Sequence, residues 1–301
     1  MTTYDEKPWL KHYDPGVAHT LEPYPNIALH DILREMAGKY PDNVALITDA
    51  KLPLVGHQAQ RLTYRELDEA SDALACALID KGLKKGDRVA LVMPNVAAFP
   101  IAYYGILKAG GVVAATNPTY PAEKMQFQIN DCEAEFVITL TLFYGLIKQV
   151  QPKTHVRQVI VCNVKEYLTP LARILFTLAK EKKMGHYLAA LEPGDLWLNN
   201  LLAQYAGQKP NVPVTGDDLC IFQYTGGTTG VSKGAMATHR ALVANTRQIT
   251  AWTSISEGRL ANMDRSTLVY LGVLPMFHSF GLVVLLSQAL SSGASIVLIP
   301  N

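Results

Sequence analysis

From about Ile27 onward, short apolar runs alternate with amphipathic helical patterns, and this alternation confines the chain to an α/β fold with parallel-rich sheets flanked by helices. Strands are predicted at Val44–Thr48, Arg88–Met93, Gly111–Ala115, Glu135–Thr139, Gln158–Cys162, Leu219–Tyr224, Leu268–Val273 and Ser295–Ile299. Among the helices, the one opening at Thr63 is marked best. Thr63 and Glu66 make a capping box ahead of Leu67, Ala70, Leu74 and Leu78 at helical spacing, and Gly82 supplies the stop.

The segment 208–218, QKPNVPVTGDD, is rich in Pro, Gly and Asp and reads as a connector. It divides the chain into a first α/β subdomain, 1–210, with a helical insert at 165–186, and the start of a second, 211–301. With 301 residues and 49% hydrophobic content, there is enough apolar surface for one large core or two smaller ones.

Several function classes fall away on composition. Lys and Arg number 27 against 26 for Asp and Glu, so no global field draws in nucleic acid, and any anion site must be local. The cysteines Cys76, Cys132, Cys162 and Cys220 form no CxxC pair, which disfavours a zinc site or a disulfide framework and suits a cytoplasmic location. The polar, acidic start Met1–Trp9 lacks the pattern of a signal peptide. The most apolar stretch, 268–290, carries Pro275, His278 and Gln288 and falls short of the roughly 20 apolar residues of a spanning helix.

The segment 224–236, YTGGTTGVSKGAM, packs four glycines, three threonines and one lysine behind an apolar strand. Glycines let backbone N–H groups approach an anion, threonine hydroxyls add donors, and lysine adds a mobile charge, so the combination suits a polyphosphate. It is not a Walker A loop, because Lys233 lies between Ser232 and Gly234. A plain glycine-rich turn is the bland alternative. Thr238 is the expected cap of a helix over His239–Trp252.

YTGGTTGVSKGAM resembles the phosphate-binding signature of adenylate-forming (AMP-binding) enzymes, in the variant of long-chain fatty-acid-CoA ligases. Three further segments match that family in order: Leu62–Leu67, Lys108–Gly111 continuing to Asn117-Pro118, and Leu274–Gly281, LPMFHSFG. The resemblance covers most of residues 27–301. The first two segments read as structural, a capped helix and a helix end turning into a buried strand. In the third, His278 lies among Met276, Phe277 and Phe280, where partial desolvation of its imidazole is expected. A lone histidine is more often a satisfied core residue.

The resemblance implies the N-terminal domain of the superfamily and a two-step reaction. A fatty carboxylate attacks the α-phosphate of ATP, pyrophosphate leaves, and CoA thiol then takes the acyl group and releases AMP. It assigns Thr225, Gly226, Gly227, Thr228, Thr229, Gly230 and Lys233 to the polyphosphate cradle, Thr225 also to Mg²⁺, and His278 to the catalytic site as an orienting group. ATP, Mg²⁺ and CoA are the implied cofactor and co-substrates. The family's acidic magnesium ligand, its ribose-binding Asp and its C-terminal lysine are not found after Gly234; Thr215-Gly216-Asp217 precedes the loop and reads as a linker turn. The expectation is therefore a fragment, incomplete at its C-terminus and without full turnover.

Residues 165–186, KEYLTPLARILFTLAKEKKMGH, place Leu171, Ile174, Leu175 and Leu178 at helical spacing among Arg173, Lys180, Lys182 and Lys183. Such a helix either packs its stripe on the core or meets the inner face of a membrane as a peripheral contact. A homodimer is a further expectation. The competing readings are another adenylate-forming enzyme, such as a fatty-acyl-AMP ligase or an acyl-carrier-protein synthetase, a non-catalytic nucleotide-binding module, and a structural domain whose loop is only a turn.

Overall fold

The computed structural model describes residues 4–52, 55–225, 232–256 and 264–300. Along the chain, α1 (Leu29–Lys39) leads into the hairpin β1 (Val44–Leu52) and β2 (Gly56–Thr63). A run of alternating elements follows: α2 (Tyr64–Asp80), β3 (Arg88–Val92), α3 (Ala98–Lys108), β4 (Val112–Thr116), α4 (Ala122–Asp131), β5 (Phe136–Leu140), α5 (Thr141–Val150) and β6 (Gln158–Cys162). Then come α6 (Pro170–Ala179), β7 (Leu196–Trp197), α7 (Leu198–Gln204), β8 (Leu219–Thr225), β9 (Lys233–Thr238), α8 (His239–Ser256), β10 (Val269–Gly272), a π-helical turn (Gly281–Ser287) running into α9 (Gln288–Ser291), and β11 (Ser295–Leu298).

These strands form a seven-stranded sheet, β7-β6-β5-β3-β4-β8-β9, and a four-stranded sheet, β10-β11-β1-β2. The first is parallel except for β9, and the second is parallel except for β2. Alternation along each parallel strand feeds two cores. Val89 and Leu91 of β3, with Phe136 and Ile138 of β5, face α1, α2 and α3, whereas Ala90, Val92, Val137, Val159 and Val161 face α4 and α5. Burial on both faces explains why these strands are continuous apolar runs in the sequence.

The α2 cap is as predicted: the Thr63 hydroxyl accepts from the Glu66 N–H at 3.2 Å, and the Thr63 N–H donates to the Glu66 carboxylate at 2.7 Å. Helix α2 lies so close to α3 that a Cβ at Gly105 would meet the Leu74 side chain at 2.9 Å. Gly82 takes φ of +86°, the left-handed conformation a helix stop requires.

Two expectations change. The connector 208–218 does not separate the sheets: β8 and β9 complete the sheet begun by β3–β7, and β10 and β11 complete the one begun by β1 and β2. Units drawn as 1–210 and 211–301 thus exchange strands in both sheets. The helical insert is also shorter than 165–186, since α6 occupies Pro170–Ala179 with Thr169 as its N-cap.

Candidate functional site

Strand β8 runs parallel to β4, with Ala115 beside Gln223, so its end at Thr225 opens on the same sheet edge as the C-terminal ends of β3, β4 and β5. The chain returns as β9, which pairs antiparallel with β8 and places Lys233 opposite Thr225. Thr225 and Lys233 are therefore the paired ends of a hairpin. The Ser232 hydroxyl donates to the Thr225 carbonyl at 2.7 Å, and the Thr225 hydroxyl approaches the Lys233 carbonyl at 3.4 Å.

Lys233 is exposed and makes no ion pair among the described residues, which leaves its charge free for a ligand. Thr225 is exposed as well. Gly226, Gly227, Thr228, Thr229 and Gly230, the rest of the expected cradle, lie outside the described residues.

Further down the hairpin, Gly234 faces Tyr224, and a Cβ there would come within 3.1 Å of the ring. The Tyr224 hydroxyl donates to the Asp131 carboxylate at 2.5 Å. Burial first and that carboxylate second raise the tyrosine far above its ordinary value, so it stays a neutral donor that ties β8 to the end of α4. Glycine at 234 thus serves close packing at the hairpin base.

His278 sits in the turn between β10 and the π-helical segment. Its N–H donates to the Pro275 carbonyl at 3.0 Å, and its own carbonyl accepts from the Leu282 N–H at 2.9 Å. The imidazole is exposed, contrary to the expected desolvation, because Met276 points into the core while Phe280 points outward. Gly281 makes this turn: a Cβ there would collide with the Pro275 carbonyl oxygen and lie 2.9 Å from that of Leu274. Glycine is the one residue without that atom.

Two polar residues that sequence reasoning did not single out hold this turn to the sheet. Asn95, 2% exposed just past β3, donates to the Gly272 and Leu274 carbonyls at 2.9 and 2.7 Å and accepts from the Met276 N–H at 2.7 Å. Gln223, near the end of β8, donates to the Phe277 carbonyl at 3.2 Å. The hairpin carrying Thr225 and Lys233 and the turn carrying His278 are thereby brought together. A Pro-Asn pair after an apolar strand was the only available signal for Asn95, and it reads equally as an ordinary turn.

Thr215-Gly216-Asp217 is a turn, as read. The Thr215 N–H donates to Asp218 at 2.7 Å, Gly216 N–H donates to Asn26 at 2.9 Å, and Asp217 pairs with Arg240 at 2.6 Å. No group of three or more His, Cys, Asp or Glu residues placed to hold a metal occurs among the described residues.

The chain is similar to known proteins over nearly all of its length. The chain is 31% identical over 298 residues to a long-chain-fatty-acid–CoA ligase of Bacillus subtilis, and 33% identical over 302 residues to one of Escherichia coli O157:H7. Each alignment takes in 98% of this chain and 50% of the relative, so the chain spans about half the length of these curated relatives. Among solved structures, a long-chain-fatty-acid-CoA ligase from Archaeoglobus fulgidus superposes with a TM-score of 0.73 at 24% identity, covering 96% of this chain and 50% of that one. An anthranilate CoA ligase in complex with anthranoyl-AMP gives 0.69 at 20% identity, covering 92% and 45%. Residues 33–301 match the family described as AMP-binding enzyme, a match that runs through both sheets and across the Thr225–Lys233 hairpin, and the chain belongs to that family.

Proposed function

We propose that the chain carries the nucleotide-binding part of an enzyme that activates a long-chain fatty acid with ATP as an acyl adenylate and transfers the acyl group to CoA. The observation that carries this reading is the hairpin base, Thr225 opposite Lys233, tied through Gln223 to the backbone beside His278. Thr225, Gly226, Gly227, Thr228, Thr229, Gly230 and Lys233 form the polyphosphate cradle. When a carboxylate attacks the α-phosphate, negative charge grows on the departing pyrophosphate, and fixed N–H donors with one mobile ammonium stabilise it. His278 orients substrate at the edge of the cradle and transfers no proton.

Magnesium fits as a companion of the nucleotide. The exposed Thr225 hydroxyl can give it one neutral oxygen, and phosphate oxygens and water supply the rest, as is usual for this ion. When bound, it neutralises charge on the phosphates.

Thermal unfolding tests the reading without requiring turnover. MgATP raises the melting temperature of the chain, and Lys233→Ala abolishes the rise. A non-hydrolysable palmitoyl-adenylate mimic stabilises more than its acetyl counterpart. Equal stabilisation by AMP and by the palmitoyl mimic favours a non-catalytic nucleotide module, and no effect of any nucleotide leaves the loop as a turn.

Peripheral membrane contact through α6 belongs to the same proposal. Leu171, Ile174 and Leu178 are 44, 57 and 80% exposed, with Lys180, Lys182 and Lys183 beyond the helix end. Apolar side chains rimmed by lysines suit an anionic lipid surface. Sedimentation with anionic against neutral liposomes, repeated with all three lysines changed to Glu, gives binding only for the parent chain with anionic lipid; equal recovery in all four samples refutes the contact.

A further inference from the structure

We propose that the cavity beneath α6 binds the chain of a long-chain carboxylate, at a place separate from the Thr225–Lys233 hairpin and the His278 turn. The cavity has a volume of about 650 Å³, within the range of small-molecule sites. Its floor comes from the loops after three strands: Pro94 and Val96 after β3, Leu140 and Phe143 around the end of β5, and Val164 after β6. Helix α6 closes it from above with Ala172 and Phe176, and β1 contributes one wall.

Topology singles out this position. After β3 the chain crosses by α3 to β4, whereas after β5 it crosses by α5 to β6 in the opposite direction. Helix α3 packs in the core on one face of the sheet and α5 in the core on the other. A crevice therefore opens between the carboxyl ends of β3 and β5, the switch point where open α/β sheets hold ligands. Here the crevice is lined almost wholly by carbon.

The polar exceptions define the ligand's head. Lys51 and Lys180 both line the cavity, both are exposed, and neither makes an ion pair among the described residues. The third polar group, His186, is engaged with the Thr141 hydroxyl at 2.9 Å, and burial lowers its affinity for a proton. Two unpaired ammonium groups beside an apolar cavity complement one anionic head on an alkyl chain.

The lid is anchored independently of any ligand. Glu181, just beyond α6, is buried and accepts from Asn163 at 2.7 Å and from Lys165 at 2.8 and 3.0 Å. Leu171, Ile174 and Leu178 line no part of the cavity, so α6 has apolar residues on its outer side as well as its inner one.

The test is photolabelling of the 301-residue chain with palmitate bearing a mid-chain diazirine, without nucleotide, with labelled peptides located by mass spectrometry. Label is expected in 94–96, 140–143 and 168–186. The uncharged methyl ester should compete about tenfold less well than palmitate, the loss of one favourable charge interaction. Filling the cavity with Ala50→Phe and Ala179→Trp should remove that label while leaving label near 276–288 in place. Lys51→Glu with Lys180→Glu, at exposed positions that spare the core, should weaken palmitate competition to the level of the ester. Label confined to 276–288, or undiminished in the filled variant, overturns the cavity site and leaves the adenylation reading standing. Label in the cavity segments alone upholds the site and counts against that reading.

Discussion

The side-chain oxygen of Asn95 accepts a hydrogen bond from the Met276 N–H at 2.7 Å, across 181 residues of sequence. With the two bonds its amide donates to Gly272 and Leu274, this side chain takes the place of a missing strand contact between the end of β3 and the turn that carries His278.

The Gly272 carbonyl also accepts from the Ile299 N–H at 3.3 Å, so Asn95→Leu, which keeps the branched skeleton, strands two backbone groups, the Met276 N–H and the Leu274 carbonyl. Each costs about 1–3 kcal/mol when left without a partner, so urea unfolding should show a clear loss of stability. Amide exchange should quicken first over residues 272–282, ahead of the sheet core. Unaltered exchange there would mean that Asn95 does not hold the turn.

Gly281→Ala tests the tight turn from the other side. The new methyl collides with the Pro275 carbonyl, and the π-helical segment must shift to accept it. Overpacking of this kind costs about 1–3 kcal/mol, and the chemical shifts of His278 and Leu282 should move while those of α4 and α5 stay fixed. If the substitution is neutral in both stability and spectrum, the close approach is not a constraint.

Lys108→Met addresses a buried charge. Its ammonium is fully enclosed, 2.6 Å from Asp68 and 2.7 Å from Asp72, and Asp72 is reached by Arg34 at 3.3 Å. Removing one partner of a buried pair costs about 3–5 kcal/mol, and the Arg34 that still reaches Asp72 should hold the loss to the lower end of that range. Adding Asp72→Leu to Lys108→Met should recover part of that loss in the same urea titration. A double variant no better than the single one would show that burial of the carboxylate is not the source of the cost.

Most of the parallel sheet was legible because doubly buried strands are apolar along most of their length: Arg88–Val92, Phe136–Leu140 and Gln158–Cys162 differ from their predicted spans by at most a residue at either end. Gly56–Thr63 and Lys233–Thr238 were missed because they are edge or hairpin strands, polar or rich in Gly and Ala, held by pairing rather than by their own side chains. Two-residue β7 has no periodicity to read. At the site, Thr225 and Lys233 were legible from residue density alone, while Asn95 and Gln223 were not, since their roles depend on backbone groups far along the chain. The exposure of His278 was misjudged because neighbouring apolar residues in sequence need not surround a side chain in space.

Acid should destabilise the fold through two imidazoles at the junction of α1 and α8. His239 accepts the Leu29 N–H at its Nδ1 at 3.0 Å, and its ring meets that of His30 edge-on. Burial, the main cause, lowers His239 to about 4, with the Asp218 carboxylate opposing and Lys85 assisting. Burial, followed by Arg34, His239 and Lys108, lowers His30 to about 2. Unfolded, both take a proton near 6.5, so below that pH the unfolded chain binds more protons than the folded one. Their contribution is complete above about pH 6.5 and is lost as the pH falls, toward 4 for His239, where it is on the order of 3 kcal/mol, and toward 2 for His30. Urea midpoints at pH 7.5, 6 and 5 should fall in that order, and His239→Gln, which cannot titrate and keeps an acceptor, should flatten the decline. An equal slope in parent and variant would place the acid sensitivity in groups other than His239.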